Sequence, residues 1–342
     1  MSFVTINAED FVISADSITS TLWSNNITKL SNYFTSSIAI TNNAYLPVYL
    51  ESPIVNPSAL PQFTISYGQV NGSGSAPLNS LIPGFSPTRI TYGQFRTLIN
   101  GDENTNLNFG TGNTNSPDFY VINISRANYK EKLFLSTFNL TLSGSTQINL
   151  TNNSNNVTSL TYCDAGRVFD IVSGSNGSTT TSIPASSSAA GYTVSGSYGK
   201  FLPDVGLIIL NPRALALSSN FGGISLSIPT ASNSSNLGTI NSNLCDAFNI
   251  GKNFSLNSEE TITSDYIFVR IKNSDFNYTT NPSMISGSGE FYYPSLINNP
   301  QTFITTVGLY NDNNELLGVA KLSKPLVKDF TKEALIRVKL DF

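Results

Sequence analysis

One stretch decides the fold class of this chain: Phe138-Asn139-Leu140-Thr141-Leu142-Ser143-Gly144-Ser145-Thr146-Gln147-Ile148-Asn149-Leu150. Apolar and polar residues alternate in its two arms, and the Ser143-Gly144-Ser145 segment between the arms is typical of a turn. An alternation of period two is that of a β-strand with one buried face, because successive side chains point to opposite sides. The stretch therefore predicts a β-hairpin, and with it a fold built from antiparallel strands.

The same period recurs along the rest of the chain. Further strands are predicted at 119–124, 167–172, 205–210, 266–272 and 303–309, and a second hairpin joins 305–310 to 316–322. Three segments rich in Ser, Asn, Gly and Thr are predicted as long surface loops: 151–160, 173–198 and 217–243. The fold class we expect is mainly β, with antiparallel sandwich or barrel-like sheets, long polar loops and one to three short helices.

Three segments are candidates for these helices. In 17–34 the apolar residues fall near helical spacing, which makes this segment the strongest candidate. The segment 91–99 precedes Gly101, and 241–250 precedes Gly251. Glycine is a common residue at the end of a helix, so both segments are predicted as short helices.

We divide the chain into three parts. Residues 1–110 form an N-terminal segment with a short helix and mixed β structure, 111–250 a central β domain with the long Ser/Asn-rich loops, and 251–342 a C-terminal β domain that ends in a strand. Five apolar residues alternate with polar ones in that last strand: Ala334, Ile336, Val338, Leu340 and Phe342. We expect it to pair within its own sheet or with another subunit, because unpaired termini normally fray.

The composition argues against most catalytic chemistry. Charged residues are 12% of the chain, about half the usual share, and more than a third of the chain is Ser, Asn or Thr. Histidine is absent, which excludes Ser-His-Asp and Cys-His nucleophiles and every histidine metal site. The net charge of −4 leaves no excess of cations for phosphates, so nucleic-acid binding is not expected. We expect no enzyme activity, no cofactor and no metal site.

The sequence predicts no membrane partner. No stretch approaches the run of about 18 apolar residues that a membrane-spanning helix needs, and residues 1–10 lack the basic and apolar regions of a secretory signal. We expect a chain made in a cytoplasm. Its two cysteines, Cys163 and Cys245, are expected to be free thiols that pack as small hydrophobes.

Four stretches carry a resemblance to a known class of proteins. They contain Ser125-Arg126-Ala127-Asn128-Tyr129-Lys130, Asp164-Ala165-Gly166-Arg167-Val168-Phe169-Asp170, Tyr198-Gly199-Lys200-Phe201-Leu202-Pro203-Asp204-Val205-Gly206, and Val307-Gly308-Leu309-Tyr310-Asn311-Asp312 with the closing strand. As a set they resemble virion structural proteins of large contractile-tailed bacteriophages, of the marine or cyanobacterial myovirus type. The resemblance extends from about residue 119 to the end and carries over no catalytic residues.

The resemblance implies a structural subunit of a virion, assembled in the host cytoplasm. The hairpin around Tyr310 favours the tail or baseplate, and the implied partners are copies of the chain and other virion proteins. The residues predicted at subunit contacts are Tyr310, Asn313, Arg337, Lys339 and Phe342, together with the loops 173–198 and 217–243 and the strand 334–342.

Positive charge is concentrated near the end of the chain. Six of the 18 basic residues fall in the last 22 residues: Lys321, Lys324, Lys328, Lys332, Arg337 and Lys339. A solvated face with edge lysines that prevent unwanted strand pairing is one explanation. An electrostatic contact with an acidic neighbour is the other.

Three alternatives remain open at this point. The chain could be a capsid decoration or neck protein of the same particle. It could be a tail-tip module for a receptor or a host-surface glycan, with sugar held by Phe291-Tyr292-Tyr293 or by the Asn-rich loops. It could also be an enzyme that hydrolyses a host polysaccharide with a carboxylate such as Glu290.

Overall fold

The computed structural model describes residues 5–36, 44–77, 81, 85–110, 116–179, 188–189, 192–193, 197–216, 223–229 and 236–341. Strands make up 42% of the described residues and helices 18%, and the large sheets are antiparallel, one of them curled into a half barrel. The prediction of a mainly β protein with antiparallel sheets is therefore confirmed.

Twenty-one strands lie among the described residues. They are β1 (Phe11–Thr21), β2 (Lys29–Leu30), β3 (Phe34–Thr35), β4 (Leu46–Tyr49), β5 (Pro61–Gln69), β6 (Asp118–Ile124), β7 (Lys132–Leu133), β8 (Asn139–Ser143), β9 (Gln147–Asn152), β10 (Thr161–Cys163), β11 (Gly166–Ser175), β12 (Ser178–Thr179), β13 (Ser188–Ala189), β14 (Tyr192–Thr193), β15 (Gly199–Leu202), β16 (Leu207–Leu210), β17 (Asn253–Ser255), β18 (Asn257–Ile271), β19 (Thr302–Tyr310), β20 (Leu316–Lys328) and β21 (Ala334–Asp341). The α-helices among the same residues are α1 (Pro87–Asn100), α2 (Pro212–Ala216), α3 (Leu237–Gly251) and α4 (Ser295–Asn298).

The chain forms two compact units. Unit 1 comprises Met1–Ser17 and Thr261–Phe342, and unit 2 comprises Ile18–Glu260. Each unit has a hydrophobic core of its own, as described below. The three-part division at residues 110 and 250 stays a prediction.

The sheet of unit 2 contains thirteen strands. Their order is β2-β17-β8-β9-β11-β15-β16-β6-β5-β4-β3, and β10 and β12 also pair with β11. The hairpin predicted over 138–150 is formed by β8 and β9, where Leu140 lies opposite Leu150 and Leu142 opposite Ile148. All four side chains are buried, as the alternation predicts.

Strand β6 is buried on both faces, which explains its nearly continuous apolar sequence. Its Tyr120 belongs to a core cluster that includes Phe248 of α3. Its Phe119 belongs to a second cluster that includes Tyr92 of α1. Because adjacent residues of a strand point to opposite sides, α1 and α3 cover opposite faces of the sheet at β6.

The helix predicted over 17–34 is wrong. The segment holds the end of β1, a 3₁₀ turn at Ser24–Asn26 and the strand β2, and it reaches the start of β3. Ser, Thr and Asn fill much of it, and these residues form helices poorly. Asn25 and Asn26 have positive φ angles of 61° and 55°, a left-handed conformation that a right-handed helix does not contain.

The other two predicted helices are confirmed. They are α1 and α3, and each begins four residues earlier than the spacing predicts. Gly101 ends α1 in the left-handed conformation, and Lys252 takes the corresponding position after α3. Gly101 therefore marks the end of α1 correctly, whereas Gly251 is the last residue of α3 and does not follow the helix.

The predicted loops lie only partly among the described residues. Parts of two predicted loops fall outside the described residues, and so does the loop prediction for them: 180–187, 190–191, 194–196, 217–222 and 230–235. Within the described parts, 173–179 contains the end of β11 and the strand β12. Helix α3 already begins at Leu237, so the loop prediction is wrong for the last residues of 217–243.

Both cysteines are free thiols, as predicted. Cys245 is buried in the core cluster that contains α3, and this burial raises the pKa of its thiol to about 12. Cys163 is half-buried and packs against the cluster that contains α1. Each thiol therefore contributes to the packing of unit 2 as a small hydrophobe.

Unit 1 is built from two layers of strands. In the first layer β18 lies between β1 and β21, and in the second β19 and β20 form a separate two-stranded ribbon. Ile267 of β18, Val338 of β21 and Leu309 of β19 belong to one buried cluster. The sheet and the ribbon therefore pack face to face, and each keeps one outer face.

Strand β21 pairs with β18 along its whole length, from Ala334 opposite Ile271 to Asp341 opposite Ser264. Ile336 and Val338 are buried, whereas Leu335, Arg337 and Lys339 are exposed. The alternation predicted for this strand is confirmed, and its partner within the described residues is a strand of the same unit.

Candidate subunit interface

The outer face of the β1–β18–β21 sheet carries charged side chains, and we call it the charged face. Arg337 and Lys339 both lie beside the ring of Tyr266, with the guanidinium carbon 5.5 Å and the ammonium nitrogen 5.8 Å from the ring centre. Lys339 Nζ lies 2.9 Å from a carboxylate oxygen of Asp341, which also accepts a hydrogen bond from the Ser264 hydroxyl at 2.7 Å. The Lys339–Asp341 contact holds the pKa of the lysine above and the pKa of the carboxyl below their ordinary values.

Tyr310 and Asn313 lie at the tip of the ribbon. Asn311 Oδ1 accepts hydrogen bonds from the backbone amides of Asn313 at 3.0 Å and Glu315 at 2.8 Å, and these bonds close the turn between β19 and β20. Asn314 has a φ of 62°, which asparagine tolerates better than most residues. Turn geometry therefore explains the Asn-rich sequence, and the Asn313 side chain stays exposed.

The outer face of the ribbon carries two apolar parts, with Thr306 and Lys321 between them. Six large side chains, each more than a third exposed, define what we call the hairpin face: Phe303, Tyr310, Leu316, Leu317, Val319 and Val327. The Tyr310 ring folds back over Gly308, where an added Cβ would lie only 2.9 Å from the ring. A larger residue at position 308 would therefore displace the aromatic ring from this face.

The structure does not bring the five predicted contact residues together. Arg337 and Lys339 lie on the charged face, whereas Tyr310 and Asn313 lie on the ribbon. Because the core of unit 1 lies between sheet and ribbon, the charged face and the hairpin face point away from each other. Phe342 lies outside the described residues.

Lys328 does not belong to the solvated face predicted for the C-terminal basic residues, although the other five are exposed. It is only 1% exposed. Its ammonium group donates hydrogen bonds to the backbone oxygen of Asn273 at 2.9 Å, to the backbone oxygen of Asp275, and to Asn277 Oδ1 at 2.6 Å. This lysine therefore organises the loop that follows β18.

In unit 2, two charged contacts arise from three of the stretches that carry the resemblance. The guanidinium of Arg126 lies 4.6 Å from the centre of the Tyr129 ring. Arg167 binds Asp204 with Nη2 at 2.5 Å from Oδ1, and its backbone amide donates to Oδ2 at 2.8 Å. Burial raises the pKa of Asp204, but the hydrogen bonds from Arg167 outweigh it and hold that pKa below the ordinary value.

These two contacts meet at a cleft of about 570 Å³ that Arg126, Tyr129 and Asp204 line together. Gly206 lies against the Tyr129 ring with a φ of 71°, and an added Cβ there would lie 2.8 Å from that ring. The glycine is needed for the ring to pack. The sequence alone does not predict the contact between Arg167 and Asp204, because the two residues lie 37 positions apart.

Exposed aromatic side chains follow β18 in unit 1. Tyr292 and Tyr293 are each more than half exposed, and so is Tyr278, whose ring contacts that of Phe291 edge to face at 5.3 Å. Glu290 is exposed beside them. Exposed rings next to polar groups are the chemistry that stacks on sugar rings.

Within the described ranges, no group of three or more Cys, Asp or Glu side chains is placed to hold a metal ion. None of the described helices is long and apolar enough to cross a membrane. The chain matches no protein-family model, no curated protein and no solved structure.

Proposed function

We propose that this chain is a structural subunit of a contractile-tailed bacteriophage virion, in the tail or baseplate. It acts through contacts with copies of itself and with other virion proteins. The hairpin face carries the proposal, because several large apolar side chains exposed on one face are typical of a site that another protein covers. The resemblance of the stretches around Arg126, Arg167, Asp204 and Tyr310 supports the assignment to a phage particle.

The two layers of unit 1 give further support. The charged face and the hairpin face point away from each other and differ in chemistry. A subunit with two unlike faces can contact two different neighbours at once, as a repeated assembly requires. Uncharged side chains can also be covered without the cost of removing ions from water, which is several kcal/mol per ion even after relaxation.

The first test is the location of the chain. In purified particles of a phage that encodes it, we expect mass spectrometry to detect the chain, and we expect it to stay with tails and baseplates when heads and tails are separated. Immunogold labelling of whole particles should show the same position. A chain that is present in infected cells but missing from purified particles would contradict the proposal. Recovery with heads or necks would favour the capsid decoration or neck alternative.

A glycan-binding role at the tail tip is the second candidate, favoured by the exposed rings of Tyr292 and Tyr293. If it is correct, the intact chain binds host-surface glycans on an array, and Tyr292→Ala reduces this binding by about tenfold or more, since a buried stacking contact contributes on the order of 1–3 kcal/mol. The matched control is Tyr162→Ala, which removes another exposed tyrosine, 65% exposed, from unit 2. Equal binding by both variants would remove this candidate.

A further inference from the structure

The hairpin face is exposed along the length of the ribbon. Leu317 is 71% and Val319 60% exposed, and the Phe303–Val327 pair extends the face toward the other end. Between Leu309 and Tyr310 the register with β20 shifts by one residue. Two adjacent leucines, Leu316 and Leu317, are exposed at this bulge. Large apolar side chains exposed together on one face are typical of a surface that another protein covers.

The two strands of the ribbon differ in their charges. Strand β20 carries Lys321, Lys324 and Pro325, residues that hinder pairing at the edge of a sheet. Strand β19 has the sequence TFITTVGLY, without a charged residue or a proline. Most of the hairpin face can therefore be covered without removing an ion from water.

Charges of opposite sign lie at different positions along the ribbon. Asp312 and Glu315 belong to the turn at its tip, and Lys321 lies opposite Thr306, about 13 Å from the Tyr310–Leu316 pair at about 3.3 Å per residue of β19. Lys324 lies in the irregular stretch of β20 between the levels of Thr306 and Ile304, no more than about 20 Å from that pair. If two ribbons packed antiparallel with a two-fold axis near Val319, the acidic tip of one would lie near both lysines of the other. The face is thus complementary to itself about Val319, with apolar side chains near the axis and charges of opposite sign on its two sides.

We propose that the hairpin face binds the hairpin face of a second copy of this chain, in an antiparallel arrangement with its two-fold axis at Val319. The inference rests on the proposed function and names the partner of one surface. Strand β19 has nine residues, so two strands about 4.8 Å apart give a footprint of about 300 Å² over the paired length. This is less than half of the area that one partner of a stable complex buries, so an isolated pair has a Kd in the micromolar range or above. Many copies fixed in one particle raise the local concentration and strengthen the contact.

The test is sedimentation velocity of the full chain from about one to several hundred micromolar. We expect a reversible monomer–dimer equilibrium that Leu317→Lys with Val319→Lys weakens by about tenfold or more. The control is Leu335→Lys, because Leu335 is 59% exposed but lies on the charged face. Unchanged circular dichroism and thermal unfolding show that each variant is folded. A chain that stays monomeric, or a control that weakens the dimer equally, would overturn the inference.

Charge exchange tests the antiparallel arrangement itself. Glu315→Lys and Lys324→Glu should each weaken self-association, because each places like charges opposite one another in the dimer. In an equimolar mixture of the two variants the signs are complementary again, and dimers should re-form. A mixture that associates no better than either variant alone would contradict the arrangement.

The two proposals fail in different ways. Loss of the dimer inference leaves the proposed function standing, because a virion subunit can contact other proteins through the same face. Absence of the chain from purified particles removes the proposed function, whatever the sedimentation result.

Discussion

Replacing Arg213 with methionine is expected to lower the free energy of unfolding of unit 2 by about 3–5 kcal/mol. Asp118 is 0% exposed, and Arg213 lies 2.8 Å from its Oδ2 through Nη2 and 3.2 Å from both oxygens through Nε. Tyr67 donates to the same carboxylate at 3.0 Å. Burial and the nearby Asp118 raise the pKa of Tyr67 far above its ordinary value, so the phenol keeps its proton. Methionine would leave a buried carboxylate without its counter-charge.

Urea unfolding followed by tryptophan fluorescence measures this effect in unit 2. The chain has one tryptophan, Trp23, which is buried in the core of that unit. Arg89→Met removes an exposed arginine and should change the free energy by no more than about 0.5 kcal/mol. Asp118→Asn combined with Arg213→Met should recover part of the loss, because no buried charge remains. If Arg213→Met lowered the free energy of unfolding no more than Arg89→Met does, the buried ion pair would not stabilise the unit.

Gly199→Ala is expected to destabilise unit 2 by about 3 kcal/mol or more. Gly199 lies on β15 opposite Leu210 of β16, and an added Cβ would lie only 2.1 Å from the backbone oxygen of Ile209. The obstacle is backbone, so it cannot rotate away as a side chain can. The two strands would have to separate near the middle of the thirteen-stranded sheet.

The matched control is Gly93→Ala, a second change from glycine to alanine in the same unit. Gly93 lies inside α1, and nothing lies within 4 Å of an added Cβ. Alanine is the better helix former, so this variant should be more stable by about 0.5–1 kcal/mol. The same urea experiment compares the two changes. A lower free energy of unfolding for Gly93→Ala, or an unchanged one for Gly199→Ala, would contradict the packing described for α1 and for β15 and β16.

The parts of the fold that could be predicted depend on local patterns. The alternation over 138–150 is enough to define the β8–β9 hairpin, because both strands and their turn lie within thirteen residues. Local alternation also predicts the β19–β20 hairpin, whose first strand ends at Tyr310, and the buried and exposed faces of β21. The spacing of the apolar residues predicted the wrong structure over 17–34. The apolar positions there suit a helix, but the Ser, Thr and Asn residues between them favour strands and turns.

Contacts between distant segments could not be predicted. Lys328 binds Asn273, 55 positions earlier, and its local sequence resembles that around the exposed Lys324. Likewise, alternation shows that β19 and β20 each have two faces, but not which face the sheet of unit 1 covers. Packing around Leu309 decides this, and it leaves Val319 exposed. The hairpin face therefore became visible only in the folded chain.

The ammonium group of Lys328 occupies the position that a bound metal ion would take among three oxygen ligands. Unlike an ion from solution, this positive charge is attached to the chain by a four-carbon stem, so neither dilution nor a chelator can remove it. The loop over 273–277 therefore needs no divalent ion from the medium to hold its oxygen atoms together. For a protein proposed to travel with a particle from a host cytoplasm into open water, this independence removes one way in which an assembled surface could come apart.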